Sequence, residues 1–187
     1  MDLQDRRVKR TQNLLTNALI ALTLEKGYEA VTIRDITQRA DVAYATFFRH
    51  YHDKDALLDD VLDVVLEELV ALLQPSAPGA DPATIGTLLF QYVRDHSEVC
   101  RVLLSTHGSG ALIQRTIEEG TRHVLEEHPP LPDGAVPADI ASYHLVASSI
   151  ELIRWWLEHD MRYTPERMGM VYRDLIYSPT IAVAFTA

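Results

Sequence analysis

The stretch from Thr32 to Asp60, TIRDITQRADVAYATFFRHYHDKDALLDD, constrains the fold more than any other part of the chain. It reads as a short helix, a tight turn, a second short helix and the start of a long third one. In Thr32-Ile33-Arg34-Asp35 the threonine hydroxyl can accept from a free backbone N–H of the first turn while the aspartate reaches back, which starts a helix near Ile33. Ile33, Ile36 and Ala40 share an apolar face. Ala40-Asp41-Val42 then breaks the period with a small residue and an acid that tolerates positive φ. As a helix, Ala43 to Tyr51 buries Val42, Phe47 and Tyr51 and turns Tyr44, Thr46, Arg49 and His50 outward. Two helices joined by so short a turn, the second exposing polar and aromatic groups, suit insertion of that second helix into a DNA major groove.

Charge bears directly on that expectation. The chain of 187 residues carries a formal net charge of −10, which argues against a polyanionic partner, because neutralised phosphates supply most non-specific nucleic-acid affinity. The charge is uneven. Residues 1 to 54 hold nine of the basic residues (Arg6, Arg7, Lys9, Arg10, Lys26, Arg34, Arg39, Arg49, Lys54) against seven acids, and the remainder holds eight arginines against twenty acids. All three lysines lie in the first part, so positive character is local and the acidic remainder is held away from DNA. With 47% hydrophobic residues the chain can bury one good core or two small ones. Cys100 is the single cysteine, so no intrachain disulfide is possible; it reads as a small buried apolar residue in a reducing cytoplasm. No apolar run spans a bilayer and the start, MDLQDRRVKR, has no signal-like apolar core, so a soluble, cytoplasmic protein with no membrane partner is expected.

Taken in order, Leu15, Ala18, Leu19 and Leu22 predict a first helix from about Arg6 to Lys26, stopped by Gly27. Its basic start suits either a phosphate contact or a solvated terminus. Asp53 is placed to cap a long helix from about Lys54 to Leu73 with Leu57, Leu58, Val61, Leu62, Val65, Leu69 and Leu72 inward. Gln74 to Pro82, with three prolines and a glycine, reads as a linker. Asp81-Pro82 opens a helix to about His96 with Ile85, Leu88, Leu89, Tyr92 and Val93 inward. A short piece from Val99 to Leu104 and a helix from about Ala111 to Glu127 follow. His128 to Pro137 is a proline-rich loop. Ala138 to Glu158 is so apolar that burial on two sides is expected. Thr164-Pro165 starts a last helix with Met168, Val171, Tyr172, Leu175 and Ile176 as its stripe, ending before Pro179. With no strand alternation and no repeat, the expected fold is all-α, of about nine helices: residues 1–53 as a helix-turn-helix domain, residues 54–187 as a second helical domain, and the helix from about 54 to 73 bridging them.

Lys26-Gly27-Tyr28, Thr32, Ile36, Ala40, Val42, Thr46, Phe47, His50 and Lys54 together resemble the TetR/AcrR family of bacterial transcriptional regulators over roughly residues 10 to 60. Beyond that the resemblance is one of helix plan, with Arg154-Trp155-Trp156-Leu157-Glu158 similar to a run near the dimerising helix of some members. It implies a homodimeric, DNA-binding repressor that reads a palindromic operator in double-stranded DNA and is released by a small-molecule effector held in the C-terminal domain. By position in the motif, Thr32, Thr46, His50 and Lys54 would hold phosphates and Ala43, Tyr44 and Ala45 would face base edges, with Arg34, Phe48 and Arg49 also among the expected DNA-binding residues. Two alanines offer only apolar contacts, leaving hydrogen-bond discrimination to Tyr44 and Arg49. Two positions depart from the family's habit. Asp41 stands where glycine is usual in the turn, and Phe48 stands where a phosphate-binding tyrosine is usual, which removes a hydroxyl.

Tyr92, His96, Cys100, Ile117, Tyr143 and His144 put polar tips on otherwise apolar inward faces and form the candidate effector pocket. Trp155, Trp156, Val171 and Leu175 form the candidate dimer interface; the adjacent tryptophans point different ways from one helix, so one of them serves there. Glu151 can pair with Arg154 on one helix face. The eight histidines, His96, His107 and His144 among them, form no ligand pattern, so no metal and no cofactor is expected. Without a phosphate loop, a nucleophile elbow or a catalytic constellation, an enzyme is not expected either. The competing reading is a helical adaptor for a ligand or protein that has lost specific DNA reading, against which Thr32, Thr46, His50 and Lys54 argue.

Overall fold

The computed structural model describes residues 3–73, 81–104 and 110–186. The element order is α1 (Leu3–Lys26), a 3-10 turn (Tyr28–Ala30), α2 (Ile33–Arg39), α3 (Tyr44–Phe47), α4 (Lys54–Leu73), α5 (Pro82–Asp95), α6 (Ser97–Leu104), α7 (Gly110–Glu127), α8 (Ala138–Glu158), α9 (Pro165–Tyr172), a π-helical segment (Arg173–Tyr177) and α10 (Ser178–Ala184). Among the described residues the only β-type pairing is an isolated bridge between Pro130 and Phe185, so the all-α expectation holds. No described helix is long and apolar enough to cross a membrane. Most of the expected linker, residues 74–80, and the segment containing His107 lie outside the described residues.

The chain forms two compact units, residues 1–66 with 98–112, and residues 67–97 with 113–187. The division expected at residue 53 thus falls inside the first unit, because the start of α4 packs there. Leu57, Leu58, Val61, Leu62 and Val65 of α4 are buried, together with Leu15, Leu19, Ile36 and Phe47. α6 belongs to the first unit as well, which puts Cys100 there and not with the other members of the expected pocket.

In the second unit α5 and α9 cross at glycine. A Cβ on Gly169 would stand 2.5 Å from the Ala83 carbonyl oxygen and 2.6 Å from the Thr87 nitrogen, and one on Gly86 would stand 2.9 Å from the Gly169 Cα. Only glycine lets the two backbones approach so closely. The inward face of α5 is rotated from the expected one, since Gly86 and Phe90 are buried and Leu88 is exposed. Phe90 packs edge-on against Trp156, with ring centroids 5.2 Å apart.

Two further expectations are corrected. α8 buries Ala141, Ser142, Leu145, Ile150, Ile153, Trp156 and Leu157, but Ile140 and Tyr143 are exposed, so within one chain it is covered on one side. The last helix does not end before Pro179. Proline has no N–H and its ring crowds the carbonyl four residues back, so the chain widens into a π turn, with the Ser178 N–H donating to the Arg173 carbonyl, and continues as α10.

Candidate nucleic-acid interface

The first unit positions α3 by local chemistry. Thr32 accepts from the Asp35 N–H (3.2 Å) while the Asp35 carboxylate accepts from the Thr32 N–H (2.9 Å) and hydroxyl (2.7 Å), the reciprocal cap expected from sequence. The same carboxylate meets Lys26 Nζ at 2.8 Å, tying α2 to the end of α1. Lys26 first, and then the Thr32 donors, hold the Asp35 carboxyl well below the usual carboxylate range. Arg39 adds a two-pronged bond to Glu25, at 2.9 and 2.7 Å. Gly27 (φ 80°) ends α1 and Asp41 (φ 52°) makes the turn before α3, as their positions in the sequence imply.

α3 itself is shorter than expected. Helical geometry covers Tyr44–Phe47, after which the Arg49 and His50 N–H groups donate three residues back, to Thr46 (3.2 Å) and Phe47 (2.9 Å). The tighter turn removes a long polar face and leaves a compact tip. Ala43, Tyr44, Ala45, Phe48 and Arg49 are exposed there, Thr46 and His50 are half-buried, and Val42 is only partly covered. Among the described residues the exposed Arg34 and Arg49 make no ion pair, nor do Arg6, Arg7, Lys9 and Arg10 at the start of α1. Behind the tip, Phe47 is fully buried and packs against Tyr51 (5.8 Å), whose hydroxyl donates to Asp60 (2.6 Å). Burial and that bond push the Tyr51 phenol up.

Lys54 does not point at solvent. Its ammonium donates to the carbonyl oxygens of Tyr28 (2.9 Å) and Val31 (3.2 Å) and lies 4.3 Å from the centre of the Tyr28 ring. The Tyr28 hydroxyl donates to Asp55, and burial together with that bond raises its phenol strongly. The group expected to hold a phosphate is thus engaged in closing the 3-10 turn onto the start of α4. Two associations were not anticipated from sequence, this Tyr28–Lys54–Asp55 cluster and an edge contact of Phe48 on Tyr44. The second had a legible signal, the four-residue spacing of two aromatics on a helical segment.

The other expected sites are only partly assembled. Tyr92 and His96 stack at 4.2 Å, with the Tyr92 hydroxyl donating to Glu68 (2.7 Å). Ile117 is buried, whereas Tyr143 and His144 are on the exposed side of α8. Of the tryptophans, Trp156 is wholly buried and donates to the Tyr163 carbonyl (3.0 Å), so it is removed from the candidate dimer surface. Trp155 is half-exposed and stacks on His159 at 4.3 Å. Leu175 is 67% exposed and Val171 partly so; both line a surface cleft of about 280 Å³ with Arg167, Met170 and Asp174. Glu151 and Arg154 pair at 3.1 Å, as their spacing suggests.

A family model described as bacterial regulatory proteins, tetR family, matches residues 15–61, and a model of a transcriptional regulator C-terminal region matches residues 81–178. The chain belongs to the TetR family. The transcriptional repressor Rv3405c of Mycobacterium tuberculosis is 32% identical over 134 residues, covering 71% of this regulator and 66% of the relative. The matched region spans 18%, 35% and 66% of the length of several curated relatives. Among solved structures, a TetR-family regulator from Syntrophomonas wolfei shares the fold with a TM-score of 0.72 at 16% identity, covering 92% of this chain and 96% of the other. SmeT, the repressor of a Stenotrophomonas maltophilia multidrug efflux pump, was solved in complex with triclosan. That structure has a TM-score of 0.67 at 17% identity, covering 94% of this chain and 92% of the other.

Proposed function

We propose that this regulator is a homodimeric repressor that places α3 of each subunit in a major groove of a palindromic operator and is released by a small-molecule effector bound in the second unit. The observation that carries the reading is the tip of α3. It is exposed, fixed from behind by the buried Phe47 and followed by the unpaired cation Arg49, while Arg34 on α2 is likewise exposed and without an ion pair, on a chain that is otherwise acidic. Cations of that kind set register on phosphates, and base edges are read between them. The same tip disfavours an adaptor that has lost DNA reading, for which exposed cations around an aromatic tip would serve no purpose.

Dimerisation is supported by apolar side chains left uncovered in the single chain, Met170 on α9, Leu175 in the π-helical segment and Ile140 on α8. Effector release is supported by the triclosan complex of SmeT and by the course of α4, whose residues 54–66 belong to the first unit and 67–73 to the second. Titration of the protein into its own upstream DNA at two salt concentrations tests the reading. A specific complex that weakens as salt rises is expected, and Tyr44→Ala should lose discrimination against random DNA while keeping the salt slope. Leu175→Glu should sediment as a monomer. Salt-independent or sequence-blind binding, or a Leu175→Glu dimer, would overturn the corresponding part.

A further inference from the structure

The second aromatic at the tip has no place in a phosphate-binding scheme. Phe48 is 48% exposed and lacks the hydroxyl that a phosphate contact needs, yet it is held in place. Its ring stands edge-on to Phe47 at 5.4 Å and edge-on to Tyr44 at 5.3 Å, with planes at 75° and 66°. A stack therefore runs outward from the core, from Tyr51, anchored on Asp60, through Phe47 and Phe48 to Tyr44. Edge-to-face pairs fix relative orientation, so Phe48 limits the directions Tyr44 can take. Ala43 and Ala45 beside them are exposed and add only methyl groups. The tip thus presents an apolar ridge next to the exposed Arg49. In the major groove the one apolar group on the base edges is the thymine 5-methyl.

We infer that Tyr44 and Phe48 form a reader of thymine methyl groups, with Phe48 as the positioning residue that aims Tyr44, so that each operator half-site carries thymine under this pair. The inference rests on the proposed DNA reading and deepens it.

The test uses the full-length protein and duplexes selected by it from a random pool, with each thymine replaced in turn by deoxyuridine, which removes the methyl and nothing else. One or two positions per half-site should weaken binding by about fourfold each, the value of one methyl taken out of water. Phe48→Ala should bind the unmodified duplex more weakly and lose most of that uridine sensitivity, with the salt slope unchanged. Phe48→Tyr should retain the sensitivity. Because Phe48 is half in solvent, the helical circular dichroism of Phe48→Ala should match the parent, which separates aiming from folding. A selected duplex indifferent to every uridine replacement overturns the inference while leaving DNA reading intact. Full uridine sensitivity in Phe48→Ala overturns the role of Phe48, as does a Phe48→Ala loss that is equal on selected and random DNA. Failure of any duplex to be enriched overturns the DNA reading itself, and the inference with it.

Discussion

Replacing Lys54 by methionine separates two roles that its position in the family motif would merge. Methionine keeps most of the stem and removes the ammonium, and with it two charge-assisted bonds, to the carbonyls of Tyr28 and Val31, and the contact over the Tyr28 ring. Hydrogen bonds to a charged group contribute about 1.5–3 kcal/mol each. Both bonds are only part-buried, so the pair contributes less than that sum, and the ring contact adds about 0.5–1 kcal/mol. A net loss of about 2–3 kcal/mol follows, which for a chain of this size lowers the thermal midpoint by about 4–12 °C. Circular dichroism at the helical band reads this directly.

The binding side of the same variant is the sharper half. If Lys54 is occupied within its own subunit, it neutralises no phosphate, and the slope of log affinity against log salt should be unchanged. Arg49→Ala, which removes from each subunit an exposed cation with no ion partner among the described residues, should lower that slope by about 1.8 for a dimer, about 0.9 per subunit, and leave the midpoint where it was. The refuting result is the reverse pattern: Lys54→Met with an unchanged midpoint and a slope reduced by about one phosphate per subunit. That outcome would mean that the ammonium leaves Tyr28 and Val31 when DNA is bound, and that the 3-10 turn does not depend on it.

Gly169→Ala forces a methyl to within 2.5 Å of the Ala83 carbonyl, so α5 and α9 must separate. Overpacking of about 1–3 kcal/mol outweighs the gain of about 0.5–1 kcal/mol from replacing a helical glycine, and thermal unfolding should show a net loss, whereas a raised midpoint would deny the close crossing. Burial pushes the Cys100 thiol up to about 11, so at neutral pH it is almost wholly protonated and shielded. A thiol-specific disulfide reagent should titrate no cysteine in the native protein and one in denaturant, and rapid native labelling would contradict the packing of α6.

What could be read from sequence is what local chemistry decides. Thr32 and Asp35 cap α2, Gly27 and Asp41 take positive φ, and Asp81-Pro82 and Thr164-Pro165 open helices, because in each case the side chain acts on backbone within a few residues. What could not be read depends on partners distant in the chain. The apolar residues of α5 allow several inward faces, and the choice of Phe90 over Leu88 is made by Trp156 and by the glycine crossing. Trp155 and Trp156 are chemically equal until the fold buries one of them. The length of α3 depends on how far the ladder persists past two adjacent phenylalanines. Lys54 looked available for phosphate because nothing local shows that Tyr28, far back in sequence, offers it a carbonyl and a ring. Pro179 looked like a stop because a π turn cannot be foreseen from a proline alone.

The bonds made by the start of α4 also bear on how its movement would be felt at the tip. Lys54 and Asp55 both hold Tyr28, and Asp60 holds Tyr51, so the first turns of α4 are fastened to the 3-10 turn on one side and to the segment after α3 on the other. Tyr51 packs on Phe47, Phe47 on Phe48, and Phe48 on Tyr44. A rotation of α4 that kept these bonds would carry Tyr51 with it and change the support under Tyr44, while a rotation that broke them would expose two buried phenols. Protein interiors are too closely packed to absorb such a shift without rearranging. The aromatic stack that would aim Tyr44 at a base is therefore also coupled, through Tyr51 and Asp60, to any movement of the start of α4.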